Sequence, residues 1–133
     1  MTSTILVVDD DPVIQKLLAV NFEMEGYRVI TASDGVVGIE RVHQDHPDLV
    51  LLDVMMPRLD GIETVRLLKA DPATAAIPVI LLSAKAQSAD INGGLEAGAD
   101  DYVTKPFDPL ELLEKVLLLI GAPEGDAPAE ATR

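Results

Sequence analysis

The chain contains no cysteine, so it can form neither a disulfide framework nor a thiolate metal site. Tryptophan is absent as well, and two tyrosines with two phenylalanines make up the whole aromatic content. The core must therefore be built from Leu, Val, Ile and Ala, which dominate a 48% apolar composition. Basic residues are scarce: ten Lys and Arg stand against 23 Asp and Glu, for a formal net charge of −13. That balance leaves no basic face to displace counterions from phosphates, so direct nucleic-acid binding is not expected, and neither is attachment to an anionic membrane. Long apolar runs are missing too, none approaching the roughly 20 residues of a membrane span. The opening "MTSTILVV" lacks the basic segment and long apolar stretch of a secretory signal. The expectation is a soluble cytoplasmic domain whose 133 residues suffice for one core.

What the chain does have is a regular alternation of two periodicities. Short apolar runs at 4–8, 27–32, 48–53, 78–84 and 101–104 read as strands. The third and fourth are apolar almost throughout, as expected of central parallel strands covered on both faces. Segments with helical spacing lie between them, at about 12–25, 35–45, 60–70, 87–97 and 108–120. Asp11 and Pro12 form a start signal for the first helix, and Gly26, Gly98 and Gly121 stand where helices should stop. Five strands alternating with five helices specify an α/β fold: a flavodoxin-like, doubly wound parallel sheet in the order 2-1-3-4-5. From residue 121 the chain reads "GAPEGDAPAEATR", with no large apolar side chain. Residues 1–120 are expected to form the folded domain and 121–133 a disordered acidic tail.

The least ordinary stretch is "LVVDDDPV" at residues 6–13, where three consecutive carboxylates follow a buried-type strand. Doubly wound sheets bind ligands outside the carboxyl ends of their strands, where the strand order reverses. Asp9 and Asp10 follow the first strand, Asp53 closes the third, Ser83 belongs to the end of the fourth, and Lys105 follows the fifth. In the 2-1-3-4-5 order these residues share one pocket. Asp9, Asp10 and Asp53 carry about −3 and Lys105 returns about +1, a balance suited to one divalent cation. Hard oxygen ligands without His or Cys favour Mg²⁺ or Mn²⁺ over zinc. Asp11 is assigned to the helix cap. The Asp9–Asp10 pair taken alone could equally be a second cap; the matching strand ends favour the metal. Such a pocket suits phosphoryl transfer, with Asp53 as the in-line nucleophile forming an acyl phosphate.

The stretches "ILVVDDDP", "DLVLLDVMMPRLDGIE", "PVILLSAK" and "GLEAGADDYVTKPF", in this order and spacing, resemble the receiver domain of bacterial two-component response regulators, chemotaxis regulators among them. The similarity runs from residue 4 to about 120. It implies that Asp53 takes a phosphoryl group from a phosphohistidine of a sensor kinase or phosphotransfer protein. By the same likeness Asp10, Asp53 and the Met55 carbonyl hold Mg²⁺, and Asp9 acts through bound water. Lys105 and Ser83 contact the phosphoryl oxygens, and the Lys105–Pro106 bond is cis. Ser83 and Tyr102 would form the switch: the hydroxyl moves toward the phosphoryl group and the ring fills the space beside the fourth strand, shifting a surface population. Tyr102 as an ordinary strand aromatic is the alternative.

Other features lie outside that pattern. Helix five, "DPLELLEKVLLLIG", has Leu112 or Leu113, Val116 and Ile120 at core spacing, and a second stripe through Leu110 and Leu117. The stripe is either part of a wide buried face or a surface for an output protein or a homodimer. Leu117 stands where many receivers carry a basic residue. Gly93 and Gly94 weaken helix four, which is expected to be short, frayed or movable. His43 and His46 are expected on the surface, with no part in phosphotransfer. As an enzyme the domain would catalyse only its own phosphorylation and dephosphorylation. An aspartyl phosphatase of the haloacid dehalogenase type is disfavoured by Met55, which occupies the position of its general acid. A flavin module is disfavoured by the negative pocket. A constitutive, phosphorylation-independent binding module is the remaining alternative. The receiver itself is expected either to stand alone, acting through protein contacts, or to be excised from a longer protein.

Overall fold

The computed structural model describes residues 3–123. The tail expected at 121–133 therefore falls almost wholly outside the described residues. Five strands, β1 (Thr4–Val8), β2 (Arg28–Ala32), β3 (Leu49–Asp53), β4 (Val79–Ser83) and β5 (Asp101–Thr104), pair in parallel in the order β2-β1-β3-β4-β5. They alternate with α1 (Pro12–Met24), α2 (Gly35–Asp45), α3 (Gly61–Ala70), α4 (Ser88–Glu96) and α5 (Pro109–Ile120). This is the flavodoxin-like order. Among the described residues, no helix is long and apolar enough to cross a membrane.

Strand periodicity divides the core in two. Ile5, Val7, Leu49, Leu51, Ile80 and Leu82 point to one face, which Leu18 and Phe22 of α1 and Leu112 and Val116 of α5 cover. Leu6, Val8, Val50, Leu52, Val79 and Leu81 point to the other, against Val42 of α2 and Val65 and Leu68 of α3. The three central strands are buried along their whole length, while the outer β2 alternates between exposed and buried positions. Unbroken apolar runs are what burial on both faces requires.

Helix ends follow their local chemistry. Asp11, Asp34, Asp60 and Asp108 each cap a helix, accepting a hydrogen bond from a backbone N–H of the first turn. The chain turns after α1 and α4 at Gly26 and Gly98, whose φ of 101° and 118° suits glycine. At the end of α2 the left-handed position falls instead to His46, with φ 48° and its N–H on the Val42 carbonyl. The role of His46 is thus in the backbone.

Two expectations acquire a different physical content. Helix α4 is short, nine residues, but its adjacent glycines are not equivalent. A Cβ on Gly93 would meet nothing within 4 Å, whereas one on Gly94 would lie 2.8 Å from Leu81 Cδ1 and 2.9 Å from Tyr102 Cδ2. Gly94 allows α4 to seat on the sheet. On α5, Leu112 and Val116 are buried, while Leu110 and Leu117 are 69% and 39% exposed. The second stripe is therefore a surface.

Candidate functional site

The carboxyl ends of β1, β3, β4 and β5 converge on one acidic depression. Carboxylate oxygens of Asp9, Asp10 and Asp53 lie within 4.8 Å of one another, with Asp9 and Asp53 buried and Asp10 exposed. Lys105 reaches over them, its ammonium 3.0 Å from Asp9 Oδ2 and 3.5 Å from Asp53 Oδ1. The Asp9 carboxylate also accepts the Asp11 N–H at 2.9 Å, and Asp11 in turn accepts the Val13 N–H at 2.9 Å. The three consecutive aspartates thus divide their work: Asp11 caps α1, and the other two face the depression.

Two buried carboxylates share one ammonium, which lies nearer Asp9 than Asp53. Burial, then the charge of Asp9, push the Asp53 carboxyl above its ordinary pKa; Lys105 and the Met55 N–H, 3.4 Å from Asp53 Oδ1, offset this only in part. Burial would lower the pKa of Lys105, but the hydrogen bond to Asp9 and the charges of Asp53 and Asp9 outweigh it, so Lys105 stays above the ordinary lysine value. A small divalent cation would relieve this imbalance. The donor set, carboxylate oxygens without imidazole or thiolate, fits Mg²⁺.

The other expected residues lie around this depression. Ser83 is fully buried at the end of β4, its Oγ accepting the Lys85 N–H at 3.0 Å. Tyr102 is buried on β5, and its hydroxyl donates to the Lys85 carbonyl at 2.7 Å. Lys85, in the loop after β4, thereby links the Ser83 hydroxyl, through its N–H, to the Tyr102 side chain, through its carbonyl. Met55 follows Asp53 in the loop from β3 to α3, with its side chain exposed. The Lys105–Pro106 peptide bond is cis. His43 and His46 belong to α2 and its cap, away from these residues.

Three features escaped the sequence reading. Gln15 Nε2 donates to the Asp9 carbonyl at 2.6 Å and the Ala32 carbonyl at 3.2 Å, bracing the loop that carries the acid pair. Arg58 binds Asp34 through Nε at 3.0 Å and Nη2 at 2.6 Å, joining two loops beside the depression. Val13, Leu17, Val20 and Met24 form an exposed apolar stripe on α1. Leu17 also lines a groove of about 390 Å³ with Ile14, Ala84, Lys105, Pro106 and Phe107, next to the acidic site. The 13-17-20-24 spacing was visible in the sequence; the loop-to-loop contacts have no local signature.

A flavodoxin-like sheet with a carboxylate cluster and a lysine at its switch point is the arrangement of a phosphoacceptor module. The chain belongs to the response regulator receiver domain family, whose signature residues 5–117 match. It is 47% identical over 116 residues to the DNA-binding dual master transcriptional regulator RpaA of Synechocystis, covering 87% of this chain and 48% of that protein. It is 45% identical to the alkaline phosphatase synthesis transcriptional regulatory protein PhoP of Bacillus subtilis, covering 97% and 53%. The chain spans about half the length of these curated relatives. Among solved structures, it is similar to the receiver domain of a Pseudomonas aeruginosa sensor histidine kinase with magnesium coordinated in its active-site cleft. That match has TM-score 0.83 and 33% identity, covering 92% of this chain and all of the other. A Francisella response-regulator receiver domain matches with TM-score 0.83 and 36% identity, covering 89% and 96%. The domain is a phosphoacceptor signalling switch of the two-component type.

Proposed function

We propose that Asp53 is the phosphoacceptor and that this domain signals through the surface formed by α4, β5 and α5. The observation that carries the reading is the buried Asp53 carboxylate, placed within reach of both Lys105 and the Asp9–Asp10 pair. An Asp53 carboxylate oxygen attacks phosphorus, the P–N bond of the donor phosphohistidine breaks, and the imidazole nitrogen keeps the electron pair. Asp53 and Asp10, with the Met55 carbonyl, would hold Mg²⁺ or Mn²⁺, and Asp9 would act through water. When bound, the cation neutralises charge developing on the phosphoryl oxygens. Lys105 exchanges its carboxylate contacts for a phosphoryl oxygen, and water later hydrolyses the acyl phosphate on the same residues. In this sense the domain catalyses only its own phosphorylation and dephosphorylation.

Phosphorylation adds negative charge and strong acceptors at Asp53. Ser83 Oγ turns to donate to a phosphoryl oxygen and gives up the Lys85 N–H. The carbonyl of the same residue, Lys85, accepts the Tyr102 hydroxyl, so the ring feels the change through the Lys85 backbone and the populations of the α4–β5–α5 surface shift. The phosphodonor, a cytoplasmic sensor kinase or phosphotransfer protein, docks on the α1 stripe and the groove it shares with Lys105. Leu110 and Leu117 offer α5 to an output protein or to a second copy, and Leu110→Glu would abolish that association. Relatives named as DNA-binding regulators are about twice as long as this chain, whose formal net charge of −13 disfavours direct contact with DNA.

Beryllium fluoride, a phosphoryl mimic, separates a switch from a constitutive binding module. With Mg²⁺ it should shift backbone amide resonances of residues 83–105 in the wild type and leave Asp53→Asn unmoved. Shifts confined to the immediate pocket would support the phosphorylation-independent reading.

A further inference from the structure

The loop between Asp53 and α3 carries Met55, yet few contacts fix its outer part. Its base is closed by the Gly61 N–H on the Val54 carbonyl at 2.9 Å, and a Cβ on Gly61 would lie 2.4 Å from the Asp53 carbonyl. Farther out, Arg58 has φ 67°, a left-handed conformation unfavourable for a residue with a Cβ. The Leu59 N–H donates to the Pro57 carbonyl at 2.8 Å, so Arg58 is the centre of a γ-turn of the rarer positive-φ type. Strain of this kind persists where the surroundings over-determine it, commonly beside functional sites. Among the described residues, the side-chain hydrogen bonds that tie residues 56–59 to another part of the fold come from Arg58, whose Nε and Nη2 both reach Asp34 Oδ2. Asp34 is itself held: it caps α2 by accepting the Val37 N–H at 3.0 Å, and its side chain is only 13% exposed. The next residue, Gly35, lies so close to the loop that a Cβ would come within 2.6 Å of the Leu59 carbonyl.

The geometry points to Arg58 as a positioning residue for the metal pocket: clamped to the start of α2, it holds the 54–60 loop that carries Met55, whose N–H lies 3.4 Å from Asp53 Oδ1. This rests on the proposed role of Asp10, Asp53 and the Met55 carbonyl in holding Mg²⁺. The Arg58 guanidinium is committed to Asp34 and acts through the loop backbone. Loss of the clamp leaves the acidic ligands unchanged but lets the loop sample conformations in which the Met55 carbonyl is misplaced. The effect is on Mg²⁺ affinity, with the transfer step intact once the site is filled. Groups bound directly to ligands are typically worth ten- to a hundredfold in metal affinity. Arg58 acts one link farther away, so about three- to tenfold is expected.

The test is calorimetric titration of the purified protein with Mg²⁺, comparing wild type, Arg58→Ala, Arg58→Gly and Asp34→Asn. Asp34→Asn keeps a cap acceptor for Val37 but removes the charge. All three variants should bind Mg²⁺ about three- to tenfold more weakly. The double variant Arg58→Ala with Asp34→Asn should be no weaker than the worse single one, since both remove the same contact. Phosphorylation by acetyl phosphate should recover to the wild-type rate at saturating Mg²⁺. In metal-free protein, the Leu59 amide should exchange with solvent faster in Arg58→Ala than in wild type. A wild type that binds Mg²⁺, with variants of equal affinity, would overturn the clamp alone. Lower melting temperatures in the variants with unchanged affinity would likewise reduce Arg58 to a structural residue. A wild type that binds no Mg²⁺ would overturn the metal pocket, and the clamp with it.

Discussion

Adding one methyl group at either of two adjacent glycines in α4 should have opposite consequences. Glycine in a helix interior costs up to about 1 kcal/mol relative to alanine, so on propensity alone Gly93→Ala and Gly94→Ala should stabilise equally. The surroundings break the tie. At Gly93 the new Cβ enters open space, and the variant should gain about 0.5–1 kcal/mol. At Gly94 the Cβ comes within 2.8 Å of Leu81 Cδ1 and 2.9 Å of Tyr102 Cδ2, both on buried residues. Leu81 is wedged in the sheet with no exposed surface, so α4 must lift or the Tyr102 ring must turn. Overpacking of this order costs about 1–3 kcal/mol, which outweighs the propensity gain and leaves a net loss of about 1–2 kcal/mol. Turning the ring would also break its hydroxyl contact with the Lys85 carbonyl and place Tyr102 outward. Urea unfolding of the two variants should therefore bracket the wild type, separated by about 2 kcal/mol, while Tyr102 side-chain resonances shift only in Gly94→Ala. If both variants stabilise equally, α4 is not seated on Tyr102 and the proposed route from Ser83 to the surface fails.

Asp53 should be a source of instability in the metal-free protein. Its folded pKa is raised, so the unfolded chain releases this proton at lower pH, and stability falls as pH rises from the ordinary carboxylate value through the folded one. Asp53→Asn should melt higher than wild type at pH 7 without Mg²⁺, and added Mg²⁺ should narrow the gap; a lower-melting variant would contradict the charge balance. Asp34 has the opposite sign. The Val37 N–H, against the counteracting effect of burial, and Arg58 hold its pKa down, so its contribution is present above the ordinary carboxylate value and lost as pH falls through the lower folded one. Asp34→Ala should cost about 1–2 kcal/mol at pH 7 and less at pH 3 in chemical denaturation; a cost independent of pH would refute the ionic part. Leu17→Glu should slow transfer from a phosphorylated histidine protein while leaving acetyl phosphate turnover unchanged; equal rates with the protein donor would remove α1 from the docking surface.

The parts of this molecule legible in its sequence are those encoded by local periodicity and by position at strand ends. Unbroken runs such as "DLVLLD" and "PVILLS" announce central strands because burial on two faces tolerates no polar alternation. The acidic pocket was legible because Asp9, Asp10, Asp53 and Lys105 each occupy the end of an element whose direction the fold dictates. Asp34 and Arg58, 24 residues apart on two irregular loops, follow no period, and their pairing becomes visible only when α2 and α3 are docked. Gly94 shows a different limit. Propensity marks it as a weak point, whereas packing makes it a requirement, and a sequence carries no distinction between them. The α5 stripe left two readings open because helical spacing gives the angle between faces but not how far the core reaches around them.

The central claim, that Asp53 accepts a phosphoryl group with metal assistance, is tested most directly by intact mass spectrometry after incubation with acetyl phosphate. Wild type and Asp53→Asn would be compared with Mg²⁺ and with the metal chelated. A gain of one phosphoryl group is expected in the wild type with Mg²⁺, little without it, and none in the variant. An equal gain in Asp53→Asn would place the acceptor elsewhere. No gain in a wild type shown to bind Mg²⁺ would make the domain a constitutive binding module.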